Sequence, residues 1–225
     1  MGNLKMKNNA IVITGSNGAA AQKLISYFAD SFDVVIGITR HPVVEYDKQN
    51  INIITADISD KQQLPDLIDK IKLNHESIDC WINCVGGFDM GKSVEQDQDS
   101  WEQMYAINFT TCLYGSQAAL HIMKKQGYGK IINIGSRAAI DGFPNAAPYL
   151  VSKSSVHALT RYIALENSDN KITCNAILPG VIDTPANREA MPNEDFSGWE
   201  TPLQISKKIE GVIESNVTGE LIYVS

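Results

Sequence analysis

Ala10-Ile11-Val12-Ile13-Thr14-Gly15-Ser16-Asn17-Gly18-Ala19-Ala20-Ala21 is the stretch on which the fold turns. Four apolar residues lead into a turn of small residues, and Leu24, Ile25 and Phe28 then recur at helical spacing. A strand that passes through such a turn into a helix aims unpaired N–H groups and the positive end of the helix dipole at one spot, which suits a phosphate. Gly15 is placed for the tight turn and Gly18 for close approach of the backbone to a pyrophosphate, with Ser16, Asn17 and Ala19 completing the cradle and Ala21 at the helix-packing position. A glycine turn serves any tight bend equally well, so the rest of the chain has to decide.

Short apolar runs at 10–14, 33–39, 51–55, 79–84, 130–135, 171–178 and 220–224 read as strands, alternating with segments of helical period such as Leu64, Leu67, Ile68 and Ile71. Continuously apolar strands like Ile131-Ile132-Asn133-Ile134 imply burial on both faces. With right-handed crossovers, this predicts an α/β Rossmann fold: a doubly wound, parallel, seven-stranded sheet flanked by helices. The 225 residues fit one core, without repeats or a Gly/Ser linker, so 1–225 is read as a single dinucleotide-binding and catalytic domain. Thr184 to Pro202, with Pro185 and Pro192 inside it, lacks helical period and reads as a surface excursion, with 185–202 a loop on the substrate side.

Composition excludes several classes. Hydrophobic residues at 44% and charged residues at 20% are ordinary for a folded soluble protein. A formal charge of −7 without a Lys/Arg stripe argues against a nucleic-acid partner. Cys80, Cys84, Cys112 and Cys174 form no CxxC pair, which argues against a disulfide scaffold or a metal site. No stretch approaches the ~18 apolar residues of a membrane span, and the run at 10–13 is too short for a signal-peptide core. Met1-Gly2 resembles a myristoylation start, but Met6 stands where that motif wants Ser or Thr. A cytoplasmic location is expected.

The second strand ends in Thr39-Arg40-His41, with Asp33 ahead of it and no carboxylate at its end. An acidic residue there would take a ribose 2′-hydroxyl, whereas an arginine accommodates a 2′-phosphate, so NADP(H) is favoured over NAD(H). Tyr149 and Lys153 lie four residues apart, on one face of a helix predicted to begin near Ala146. A phenol titrates near pH ~10 in isolation, and a neighbouring ammonium favours the phenolate, which suits acid–base work.

These residues together resemble the short-chain dehydrogenase/reductase family. Its usual turn is TGxxxGxG; here Ala19 and Ala21 replace two glycines, while Gly15 and Gly18 keep the spacing of a TGxxGxxG variant. Asp57, followed by Ile58, matches the family's adenine-contacting aspartate, and Asn83-Cys84-Val85-Gly86 stands where the family has NNAG. Ser136 precedes Tyr149 by the family's thirteen residues, Asn108 falls at its fourth catalytic position in a long helix beginning near Ser100, and Pro179-Gly180-Val181-Ile182-Asp183-Thr184 is similar to its PGxxxT segment. The resemblance implies hydride transfer between nicotinamide C4 and a carbonyl or imine-like centre. Tyr149 would move the proton, and Ser136 would hydrogen-bond the reacting oxygen. Lys153 would lower the Tyr149 pKa and hold the ribose, and Asn108 would anchor a relay water. Cofactor contacts would come from Asn83, Val85, Gly86, Pro179, Gly180, Ile182 and Thr184.

Asp183 to Arg188, Met191-Pro192 and Asp195 to Trp199 also resemble the dihydropteridine reductase branch, as do Ala139 to Gly142 and Gly86-Gly87-Phe88. Members of that branch generally lack the Ser and Asn found here and favour NADH. Reduction of a quinonoid pterin is therefore one alternative. A non-catalytic NADP-sensing regulator is another, favoured by the two lost glycines and opposed by the full Asn-Ser-Tyr-Lys set. Phe88, Phe143, Phe196 and Trp199 are candidates to line a pocket for a flat or apolar small molecule. The family likeness further implies a homodimer or homotetramer through the helices at 100–125 and 147–166, with Trp101, Tyr105 and Leu113 at the contact.

Overall fold

Ile11, Val12 and Ile13 are all fully excluded from solvent, because successive side chains leave a strand on opposite faces and both faces are covered. Val12 packs on one side with Ile36, Trp81 and Ile131, while Ile11 and Ile13 pack on the other with Val35, Ile82 and Ile132. The computed structural model describes residues 9–41, 45–93 and 95–225, so the reading of Met1 to Met6 lies outside the described residues.

The strands are β1 (Ala10–Thr14), β2 (Val34–Thr39), β3 (Ile51–Thr55), β4 (Cys80–Asn83), β5 (Tyr128–Ile134), β6 (Lys171–Leu178) and β7 (Leu221–Tyr223). They form one seven-stranded sheet in the order β3-β2-β1-β4-β5-β6-β7. Every neighbouring pair is parallel. The expected fold is therefore observed, with three strands matching the sequence reading at both ends and the others differing by a residue or two at one end or both.

Helices α1 (Ala19–Phe28) and α8 (Pro202–Glu214) cover one face through Leu24, Phe28, Ile205 and Ile209. The other face carries α2 (Leu64–Asn74), α4 (Thr111–Gln126) and α6 (Ala147–Glu166), through Leu67, Ala119 and Ile163. Each fully buried Leu, Ile or Phe contributes about 1.5–3 kcal/mol.

The helix expected near Ser100 is a compound one. Asp97 caps α3 (Gln98–Met104) by accepting the Ser100 N–H at 2.9 Å; a wider π-helical turn, Tyr105–Thr110, then runs on into α4. Such turns displace a few residues from α-helical register, frequently at functional sites, and this one carries Asn108. A short α5 (Ala138–Asp141) follows β5.

The segment after β6 is more regular than its sequence implied. Thr184 caps α7 (Pro185–Ala190), with Pro185 in its first turn, and a single 3-10 turn spans Phe196–Gly198. One and a half turns of helix are too short to reveal a period. Among the described residues, no helix is long and apolar enough to cross a membrane.

Candidate active site

Between β1 and β4 the strand order reverses direction, which opens a crevice at the carboxyl ends of the strands. The crevice holds about 440 Å³ and is lined by Gly15, Asn17 and Gly18 from the first turn, Arg40 and Asp57 from the next two strand ends, and Val85 and Gly86 beyond β4. Gly15 is required twice over. Its φ is +75°, and a β-carbon there would lie 3.1 Å from Val85 Cγ2 and 3.2 Å from the Val85 nitrogen. The Gly18 N–H closes the turn on the Gly15 carbonyl at 2.9 Å, and Gly18 begins α1 with no side-chain cap, which leaves the helix end open to an anion.

Several expected contacts are placed differently. The Ser16 side chain is buried against Gly37, its N–H goes to the Ile38 carbonyl at 3.0 Å and its carbonyl accepts from the Tyr46 hydroxyl at 3.2 Å, so Ser16 lies behind the crevice wall rather than in its lining. Ala19 and Thr184 line a second hollow of about 430 Å³, between α1 and the start of α8. Asn83 points into the core, as a correction to its reading as a cofactor contact. It accepts from Trp81 Nε1 at 2.9 Å and donates to Ser116 Oγ at 3.0 Å and Asn133 Oδ1 at 2.8 Å. Asn133 in turn donates to Thr160 Oγ1 at 2.9 Å, so these amides tie β4 and β5 to α4 and α6.

Arg40 is exposed at the crevice and has no ion-pair partner among the described residues. Asp57 and the buried Ile58 both reach the lining. The Asp57 carboxylate also accepts from the Ser59 N–H at 2.9 Å and the Ser59 hydroxyl at 2.6 Å, which fixes its direction. The Asn17 amide donates to the His41 carbonyl and ties the first turn to the end of β2.

Tyr149, Lys153 and His157 follow at four-residue steps on α6. Burial raises the Tyr149 pKa, and a hydrogen bond with the Ser136 side chain opposes that rise. Lys153 is 5% exposed and donates to the Ile134 carbonyl at 2.9 Å; burial holds its pKa below the usual lysine value. The downward pull on the Tyr149 pKa thus comes from Ser136 and not from the anticipated Lys153.

Gly86 links the crevice to this group, since a β-carbon on it would stand 3.1 Å from Asn108 Oδ1 and 3.3 Å from Lys153 Nζ. Asn108 grips the next residue with both amide atoms: Oδ1 accepts the Gly87 N–H at 3.0 Å and Nδ2 donates to the Gly87 carbonyl at 3.1 Å. Both contacts hold the Gly86–Phe88 strip in place. The Phe88 ring then meets Tyr149 edge-on at 4.9 Å and Phe143 at 6.2 Å.

Phe196 and Trp199 form a separate pair, 4.6 Å apart, with the Arg188 guanidinium 4.6 Å above Phe196. Arg188 also forks onto Asp183 at 2.6 and 2.9 Å. At the base of this loop, the Ile182 and Glu200 backbones pair. The buried Glu200 carboxylate accepts from the Gly180 N–H at 2.9 Å and the Ser225 hydroxyl at 2.7 Å. The Pro179 carbonyl receives the Arg137 N–H at 2.9 Å, and Gly180 leaves room for the Arg137 side chain.

Sequence reasoning missed His157, Glu200 and Arg137. His157 alone carried a usable signal, its four-residue step from Lys153. Among the described residues, no three of His, Cys, Asp and Glu are grouped to hold a metal ion.

Residues 8–195 match the family model described as short chain dehydrogenase. A 3beta-hydroxysteroid dehydrogenase of Mediterraneibacter gnavus is 30% identical over 178 residues, which is 73% of this chain and 64% of that enzyme. The ligand-free aldohexose dehydrogenase of Thermoplasma acidophilum superposes with a TM-score of 0.89 at 25% identity, covering 99% of this chain and 94% of that one. ElxO with NADP bound gives 0.88 at 25% identity, covering 97% of both chains.

Proposed function

The chain belongs to the short-chain dehydrogenase family, and from that premise we propose that it is an NADP(H)-preferring oxidoreductase interconverting a ketone and a secondary alcohol, with Tyr149 as the acid–base group. The observation that carries this reading is the continuous path from the Gly15–Gly18 cradle, past Gly86 and Lys153, to Tyr149 beside Ser136.

The residues fit a dinucleotide. Gly15 and Gly86 are positions a side chain would fill, the α1 N-terminus is uncapped, and Arg40 is available to a 2′-phosphate. When bound, the nicotinamide supplies the hydride that goes to the carbonyl carbon. Tyr149 delivers the proton to the carbonyl oxygen, and Ser136 donates a hydrogen bond to that oxygen as negative charge grows on it. Lys153, fixed on Ile134, is positioned to hold the ribose, and Asn108 keeps the Gly86–Phe88 strip in register.

Phe88, 53% exposed beside Tyr149, and Phe143, 38% exposed beside Phe88, favour a substrate whose carbonyl sits on an apolar ring framework. The hydroxysteroid dehydrogenase relative supports this class. The dihydropteridine reductase likeness falls largely on loop residues such as Asp183 and Arg188 that hold each other, and we assign it to loop architecture. The 185–202 loop would close over the substrate, and self-association would cover the half-buried Trp101, Tyr105 and Leu113 together with Tyr162 and Leu165, which are exposed on α6.

The test is consumption of NADPH and NADH with apolar cyclic ketones, aldohexoses and a quinonoid dihydropterin. Turnover of apolar ketones with NADPH is expected. Cofactor binding without turnover of any of them would favour the sensing regulator instead.

A further inference from the structure

We propose that His157 is a positioning residue that sets the direction of the Ser136 hydroxyl by accepting the Ser136 backbone N–H on Nε2. The proposal rests on the reading of Ser136 as part of the reacting centre. It begins from the backbone just beyond β5, where each N–H needs a partner. The Gly135 N–H goes to the Ile177 carbonyl at 2.8 Å and the Arg137 N–H to the Pro179 carbonyl at 2.9 Å, both supplied by β6 and its continuation. Between them, the Ser136 N–H turns the other way and meets His157 Nε2 at 3.2 Å, supplied by α6.

Residue 135 has to be glycine for this contact to exist. A β-carbon there would lie 2.6 Å from Nε2 and 2.9 Å from Cδ2 of the imidazole. One turn earlier on the same helix, Lys153 donates to the Ile134 carbonyl at 2.9 Å. Side chains of α6 therefore hold backbone groups on both sides of Gly135, a C=O before it and an N–H after it. The plane and direction of residue 136 follow, and with them the side chain that hydrogen-bonds Tyr149.

The contact also dictates the chemistry of the ring. An Nε2 that accepts must be unprotonated, so the imidazole is neutral with its proton on Nδ1. Its setting favours that form: the ring is buried, and the positive charges of Lys153 and Arg161 add to the burial in lowering its pKa to about 4.

The experiment compares the wild-type protein with His157→Gln, which retains an acceptor, and His157→Leu, which does not. Nitrogen-15 spectra of the wild type at pH 7 should show Nε2 as the unprotonated ring nitrogen; a protonated Nε2 would overturn the proposal. His157→Leu should raise the Tyr149 phenol pKa, read from carbon-13-labelled tyrosine, and lower kcat about tenfold or more with little change in the KM for NADPH, while His157→Gln restores most of both. An unchanged phenol pKa in a folded His157→Leu protein would overturn it. So would a Gln variant as impaired as the Leu variant. Should His157→Leu fail to fold, the wild-type nitrogen spectrum and the Gln variant still decide. Absence of turnover in the wild type would count against the oxidoreductase reading alone, because the two spectroscopic readouts need no substrate.

Discussion

Lys153 and His157, one helical turn apart on α6, hold opposite sides of the same strand end: the Ile134 carbonyl at 2.9 Å and the Ser136 N–H at 3.2 Å. Burial and the charge of Lys153 act together on the imidazole, so folding carries a built-in dependence on acid.

The sign follows from proton uptake. His157 titrates at about 4 in the folded chain against 6.5 ordinarily, so between those values the unfolded chain binds a proton that the folded one refuses. Its contribution is complete above pH 6.5 and is lost as the pH falls toward 4. A shift of that size corresponds to about 3 kcal/mol. Urea unfolding across this range should show a shallower loss of stability in His157→Gln than in the wild type. Parallel curves would mean that His157 is not held neutral.

Cofactor choice is expected to follow Arg40, which stands at the crevice with no carboxylate at the end of β2. Arg40→Ala should weaken NADPH binding about tenfold or more, the scale of a lost charge-assisted hydrogen bond, and leave NADH binding nearly unchanged. Calorimetric titration of both cofactors checks this. Equal affinities in the wild type would remove the assignment.

The sheet and the Ser136, Tyr149 and Lys153 set were legible because each depends on local pattern or on spacing along the chain. Asn83 was not, because its position at a strand end says nothing about which face it takes. A period-two reading would have put it beside Trp81, to which it is bonded, and hence inside. Helix α7 was hidden by its length, although Thr184-Pro185 is a helix-start signal that could have been read. The Glu200 contacts to Gly180 and Ser225 join residues distant in sequence, and no local pattern announces them.

The proposed closure of the 185–202 loop has a reporter in Trp199, packed on Phe196 under Arg188. Adding NADPH and then a turned-over substrate should change the emission saturably, and Trp199→Phe should abolish the change, leaving Trp81 and Trp101 silent. The same response in Trp199→Phe would make this a static loop. Arg188→Ala should leave the urea midpoint nearly unchanged, because the pair it breaks lies at the surface and is screened by solvent.

Tyr149 is expected to move the proton in a hydride transfer. Single-turnover reduction of an apolar ketone by bound NADPH, in the wild type and in Tyr149→Phe, measures it most directly. The Phe variant is expected to bind NADPH as tightly as the wild type and to transfer hydride ~10²-fold more slowly or worse. Hydride transfer at the wild-type rate in a Tyr149→Phe protein that binds NADPH normally would contradict it.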